Sequence, residues 1–179
     1  MTEYARVYGG SLYDLAAEEQ LTDAIKDELI QIKAIFRENP DYLKLLSEPS
    51  IKKEDRTKLI EEAFGGQAER YLVSFMKLLC ERGIISELEG CCDEFVRRYN
   101  ADHNIAEAVV TSAKALNNDQ LTALKSKLEK VSGKNINIVQ KVDESVLAGI
   151  KVELEGKQLD GTVTGRLADL SKKLNEIKM

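Results

Sequence analysis

The sequence predicts an α+β chain of two domains, a bundle of six helices followed by a small α/β domain of order strand–helix–strand–strand–helix. Two observations carry this. Before about residue 100 the apolar residues recur at helical intervals of three and four, whereas after Asn104 alternating apolar and polar runs appear between helical stretches. The composition, 43% hydrophobic and 32% charged over 179 residues, is that of a folded globular protein, and only two prolines interrupt it. The boundary is placed at 104/105, giving domains 1–104 and 105–179 without a low-complexity linker.

The first helix carries Ala5, Tyr8, Leu12, Leu15 and Ala16 on one face. Gly9-Gly10 lies inside it, and each glycine costs up to about 1 kcal/mol against alanine there. A locally irregular helix is expected, the other reading being a close approach by a partner helix. The second helix places Leu21, Ile25, Leu29, Ile32 and Phe36 on a stripe, and Asn39-Pro40 ends it. A short helix over Asp41 to Ser47 follows, with Leu43 and Leu46. Ser50 is the expected cap of the fourth helix, which carries Leu59, Ile60, Ala63 and Phe64 and stops at Gly65-Gly66. The fifth, from about Gln67 to Arg82, is apolar around most of its circumference and so belongs in the middle of a bundle or under a partner. The sixth puts Leu88, Cys91, Cys92, Phe95 and Tyr99 on one stripe.

In the second domain Ile105 to Ser112 reads as a strand. Asn117 or Asn118 caps a helix bearing Leu121, Leu124, Leu128 and Val131, which Gly133 ends. Ile136 and Ile138 open a second strand. Ile150, Val152 and Leu154 alternate with charged residues in a third. Turns at Gly156-Lys157 and Asp160-Gly161 lead to a final helix carrying Leu167, Leu170, Leu174 and Ile177.

Catalytic signatures are missing from this pattern. No Gly-rich phosphate loop is present, and the one histidine, His103, sits at the domain junction as a solvated residue rather than a base. Three cysteines, two of them adjacent (Cys91-Cys92), make neither a disulfide framework nor a metal spacing, and core packing is expected of them. Catalytic, cofactor-binding and metal sites are all expected to be absent. Residues 1–104 hold 14 Lys+Arg against 21 Asp+Glu, a balance of −7; the remainder holds 12 against 10, or +2. Such charge disfavours nucleic acid; the acidic first part reads equally as a means of solubility and as a preference for a partner segment bearing Lys or Arg. No segment approaches a membrane span, and Glu3, Arg6 and Asp14 make the opening residues unlike a signal peptide. A cytosol-like compartment is expected, with any membrane reached only through a partner.

Tyr4-Ala5-Arg6-Val7-Tyr8 with Leu12 and Leu15-Ala16 resembles the opening helix of the delta subunit family of F-type ATP synthase, which includes the mitochondrial oligomycin-sensitivity-conferring protein. Phe75-Met76-Lys77-Leu78-Leu79 with Arg82-Gly83 and Leu88 is similar to its central helix and exit. The most specific stretch is Val142 to Val152, followed by Leu159-Asp160-Gly161-Thr162-Val163 and Gly165-Arg166-Leu167, which resembles the carboxy-terminal signature. Ala148 departs from it where a glycine is usual, and Thr162 where a serine is common. The resemblance implies a non-catalytic stator subunit that joins the catalytic head to the membrane-anchored b-type stalk, on the cytoplasmic face of a bacterial membrane and monomeric when isolated. It implies that the first domain receives the amino-terminal helix of an alpha subunit in a groove of the first and fifth helices, here Tyr4, Tyr8, Leu12, Phe75 and Leu79. The second domain is expected to meet the b-type subunits. The alternative is a generic cytosolic adaptor for amphipathic helices of another complex.

Overall fold

In the computed structural model, which describes residues 1–146 and 149–161, six α-helices precede the first strand: α1 (Glu3–Glu18), α2 (Thr22–Glu38), α3 (Pro40–Ser47), α4 (Lys53–Phe64), α5 (Arg70–Glu81) and α6 (Leu88–Asp102). A 3-10 turn, Ile85–Glu87, leads into α6. Then come β1 (Ile105–Ser112), α7 (Asn118–Ser132), β2 (Asn135–Val142), β3 (Ile150–Leu154) and β4 (Lys157–Asp160). The chain divides into two compact units, unit 1 over 1–99 and unit 2 from Asn100 onward.

The helical spacing in unit 1 sets its core. Ile25, Leu29, Ile32 and Phe36 of α2 are buried, as are Leu88, Cys91, Cys92, Phe95 and Tyr99 of α6. Phe95 meets Tyr13 edge-on with ring centroids 5.2 Å apart, a favourable aromatic geometry. On α1 the buried stripe is Ala5, Gly9, Leu12 and Ala16 with Gly10 and Tyr13, so Tyr8 is turned half outward. The helix runs unbroken through both glycines, contrary to the expected irregularity. A Cβ on Gly9 would lie 2.5 Å from the Cys91 carbonyl oxygen, and one on Gly90 2.8 Å from the Ala5 Cβ. Small residues on both partners therefore let α1 and α6 meet backbone to backbone. The close approach is made by a helix of this chain.

Two expectations for the middle helices change. Ser50 does not cap α4; Lys52 occupies that position, and the Ser50 N–H instead donates to Glu48 Oε1 over 3.2 Å. α5 is shorter than its apolar run and not buried all round: Leu72, Val73, Phe75, Met76, Leu79 and Cys80 face inward, while Leu78 is 38% exposed. Its amino terminus has no side-chain cap of its own, and Glu28 of α2 accepts the Glu69 N–H at 2.7 Å, placing an anion at the positive end of the helix dipole. Buried Arg56 of α4 donates to the Leu46 carbonyl (3.0 Å) in the last turn of α3, where a cation complements the dipole.

Unit 2 is a mixed sheet of order β2-β1-β3-β4. β1 and β2 are parallel, joined by the α7 crossover, and β3 and β4 run antiparallel to their neighbours. The alternation in β1 puts Ala106, Ala108 and Val110 into a core with Leu128 of α7, Ile136 and Val152. Asn117 caps α7 in a capping box with Gln120, and Gly133 closes it at φ 69°. β3 turns into β4 through Glu155 and Gly156, both at positive φ (50° and 76°), a two-residue hairpin turn of the kind that matches strand twist. β4 was not expected, since the sequence reads there as turns; all four of its side chains are exposed and leave no alternation to read. Asp143 forms a side-chain turn, its Oδ1 accepting the Ser145 N–H at 2.9 Å. Gly161 donates its N–H to the Ile150 carbonyl, 3.0 Å away. The predicted final helix, with Leu167, Leu170, Leu174 and Ile177, and the signature residues Ala148 and Thr162 lie outside the described residues.

Candidate partner-binding surface

α1 presents the accessible part of the predicted surface. Thr2 caps it by accepting the Ala5 N–H at 3.1 Å, and its hydroxyl donates to Glu87 at the entry to α6. Outward from the buried stripe stand Tyr4, 59% exposed, Val7, 54% exposed, and half-buried Tyr8. These sit three and four residues apart and so share one side of the helix. Two aromatic rings and a valine left to water on a firmly packed helix form the kind of amphipathic anchor that partner helices cover.

The other predicted residues lie elsewhere. Leu12, Phe75 and Leu79 are core residues of unit 1, Leu79 wholly so, and show a partner almost no side chain as folded. Phe75 and Leu79 stand together one turn apart on the inward face of α5, and Tyr4 and Tyr8 together on the outward side of α1. Val7 belongs with the tyrosines and escaped the sequence reading, although its helical spacing from Tyr4 was available.

An ion cluster fixes the carboxyl half of α1. Glu94 of α6 is almost fully buried, yet it accepts from Arg97 Nε (2.7 Å) and from Arg98 Nε (2.9 Å), while Arg98 Nη1 reaches Asp14 of α1 at 2.9 Å. Hydrogen bonds from Arg97, then from Arg98, hold the Glu94 carboxyl down at about 2 against the burial that opposes them. The Glu94–Arg97–Arg98 spacing of three and four residues is a sequence signal for such a cluster. Its burial and its link to Asp14 were not legible there.

Chemically reactive groups are shielded. All three cysteines are buried, and burial first of all raises the Cys91 and Cys92 thiols to about 12. Cys80 and Cys92 donate weakly to the carbonyls of Leu46 and Leu29, at 3.6 and 3.8 Å. Thiols so held have little thiolate near neutral pH and behave as core side chains. Among the described residues no group of three or more His, Cys, Asp or Glu is placed to hold a metal ion, and no helix is long and apolar enough to cross a membrane.

Comparison with known proteins gives this surface a context. The family model described as ATP synthase delta (OSCP) subunit matches residues 4–174. A relative named ATP synthase subunit delta from Lachnoclostridium phytofermentans is 30% identical over 176 residues, which is 98% of this chain and 97% of the relative. Another of that name, from Anoxybacillus flavithermus, is 32% identical over 171 residues, covering 95% and 96%. Among solved structures, a chain of the Toxoplasma gondii mitochondrial ATP synthase hexamer shares the fold with a TM-score of 0.69 at 15% identity, covering 97% of this chain and 98% of that one.

Proposed function

The chain belongs to the ATP synthase delta (OSCP) subunit family, and from that premise we propose how its two units divide the work of a stator. It is a non-catalytic accessory subunit of the peripheral stalk of F-type ATP synthase. The match along the whole chain is the observation that carries this reading, and it disfavours a generic adaptor, which would need no carboxy-terminal signature.

A stator subunit must hold its partners while the central rotor exerts torque on the catalytic head. The requirement is slow dissociation under load rather than chemistry. The helical unit, acting as one six-helix bundle over 1–104, docks on the head and receives the amino-terminal helix of an alpha subunit. Tyr4 and Tyr8 of α1 supply its exposed anchors, with Val7 beside them, while Leu12, Phe75 and Leu79 stay in the core of unit 1. The α/β unit, 105–179, holds the b-type stalk subunits. Through them the protein lies at the cytoplasmic face of the bacterial membrane without entering it, and it is a monomer when isolated. The fit of α1 against α6 supports this division: a helix locked by glycine contacts and the Glu94 cluster presents its outer side without paying much ordering entropy on binding.

Calorimetric titration of the full chain with a synthetic alpha-subunit amino-terminal peptide from the same organism tests the reading. One-to-one binding is expected, weakened at least tenfold by Tyr8→Glu. An unchanged Kd in a Tyr8→Glu protein with native circular dichroism would remove Tyr8 from the site. Phe75→Asp is not an informative variant, because the buried ring makes unfolding the first result.

A further inference from the structure

Ile150 and Val152 of the carboxy-terminal signature pack with the core of unit 2, but Asp143, Ser145, Val146 and Lys151 line a pocket of about 260 Å³ on the sheet. Register sets its floor. Thr111 of β1 lies directly opposite Lys141 of β2 on one side and Lys151 of β3 on the other. The adjoining Val110 and Val152 point into the core with Leu128 of α7, so by alternation Thr111 and the two lysines stand in one row on the face turned away from α7. Strands about 4.8 Å apart put the two lysine Cα atoms about 10 Å from each other. The flexible four-carbon stem of each lets both ammonium groups converge over the Thr111 hydroxyl.

One wall is the chain from Asp143 to Val146. The Asp143 N–H donates to the Ser112 carbonyl over 2.9 Å, and the Val146 N–H to the Asp143 carbonyl over 3.1 Å. Hydrogen bonds from the Ser145 side chain, then from its N–H, hold the Asp143 carboxyl below its usual range, so that carboxylate is committed to its own turn. The other lining carboxylate, Glu153, stands in the next row, opposite Val109 and Gln158. Lys151 faces Asp160 of β4 in the register and is half-buried. Among the described residues neither Lys151 nor Lys141 is held in an ion pair, whereas Lys125 and Lys134 of the same unit pair with Glu129 and Glu155.

We infer that this row is a binding site for a small phosphate-bearing ligand, with the phosphate seated over Thr111 and accepting from Lys141, Lys151 and the Thr111 hydroxyl. Two ammonium groups on either side of a hydroxyl offer charged donors to a dianion from opposite directions. Drug-sized ligands occupy about 300 Å³ or more, so this pocket takes a smaller molecule. Asp143 and Glu153 in the lining repel a polyanion such as nucleic acid while leaving the lysine row to a single phosphate. The site belongs to unit 2 and does not rest on the stator reading.

Amide-resolved NMR titration of the full chain with inorganic phosphate at constant ionic strength tests this. Saturable shifts are expected at Thr111, Lys141, Ser145 and Lys151, and none there from sodium chloride at the same ionic strength. Lys151→Met and Thr111→Val, which keep side-chain size on the sheet surface, should each weaken binding at least fivefold. Lys127→Met removes an exposed charge from α7, on the other face of the sheet, and should leave it unchanged. No saturable shift at tens of millimolar phosphate would overturn the inference. Equal losses in Lys127→Met and Lys151→Met would also overturn it, because the response would then be general charge screening. So would binding of a tetraglutamate peptide without any response to phosphate, since the row would then receive the carboxylates of a partner protein.

Discussion

In unit 1, α1 and α6 touch backbone to backbone at Gly9, and a nearly buried carboxylate, Glu94, lies between two arginines. In unit 2 the described sheet packs on α7 through Ala106, Ala108, Val110, Leu128, Ile136 and Val152, and no charged side chain is buried among its described residues. The first interior is specified by geometry that a single added methyl group violates. The second is specified by small aliphatic side chains and by local signals: a capping box, a left-handed glycine and a two-residue hairpin turn. Fitted backbones and paired charges define one arrangement, whereas aliphatic contacts of about the right size accept more variation.

This contrast can be broken or sharpened by substitution. The largest effect is expected from Phe95→Ala, which removes a fully buried ring and its edge contact with Tyr13 and should cost about 4 kcal/mol in chemical denaturation. A loss below about 1 kcal/mol would mean that unit 1 collapses around cavities as readily as a loosely specified core. Next comes Gly9→Ala. Its methyl meets the Cys91 backbone and should cost about 2–3 kcal/mol, despite the better helix propensity of alanine. Gly10→Ala meets only the Arg98 guanidinium, which can swing aside, so about 1 kcal/mol or less is expected. Equal costs at the two glycines would contradict the backbone-contact account.

Glu94→Gln should cost about 2 kcal/mol near neutral pH, since it leaves Arg97 and Arg98 without their shared carboxylate. Its pH dependence is distinctive. The folded carboxyl titrates at about 2 and the unfolded one near 4.5, so the stabilisation is complete above the unfolded value and fades as pH falls between them. The difference between the wild-type and Glu94→Gln proteins should therefore shrink from pH 4.5 downward; a difference independent of pH would rule out the ionised carboxylate as its source. The smallest effect, about 1 kcal/mol, is expected in unit 2 from Asn117→Ala, which removes the cap of α7. Hydrogen exchange of the α7 amides reads it directly. Unchanged protection there would show that unit 2 does not lean on its local signals.

Much of this molecule was legible in its residues. The stripe of α2, the stripe of α6, the alternation of β1 and β3, the Asn117 cap and the Gly133 stop are all periodic or stereochemical signals that a segment carries by itself. The resemblance to the delta family was likewise carried by short runs of residues. Local signals failed where two distant segments decide the outcome together. Gly9-Gly10 reads as a weak helix until α6 is laid against it, and Tyr8 reads as part of the α1 stripe until the glycines rotate that stripe toward Ala5 and Leu12. Four exposed side chains make β4 invisible except through its pairing with β3. Phe75 and Leu79 of the predicted surface proved to be core, and Val7 proved to be exposed, because apolarity fixes a side chain's preference for burial but not which neighbours will be there to bury it. Sequence determined most of the described elements, their order and the family. Tertiary packing alone decided which apolar faces remained open, since exposure is what is left of a surface after every other segment has taken its place.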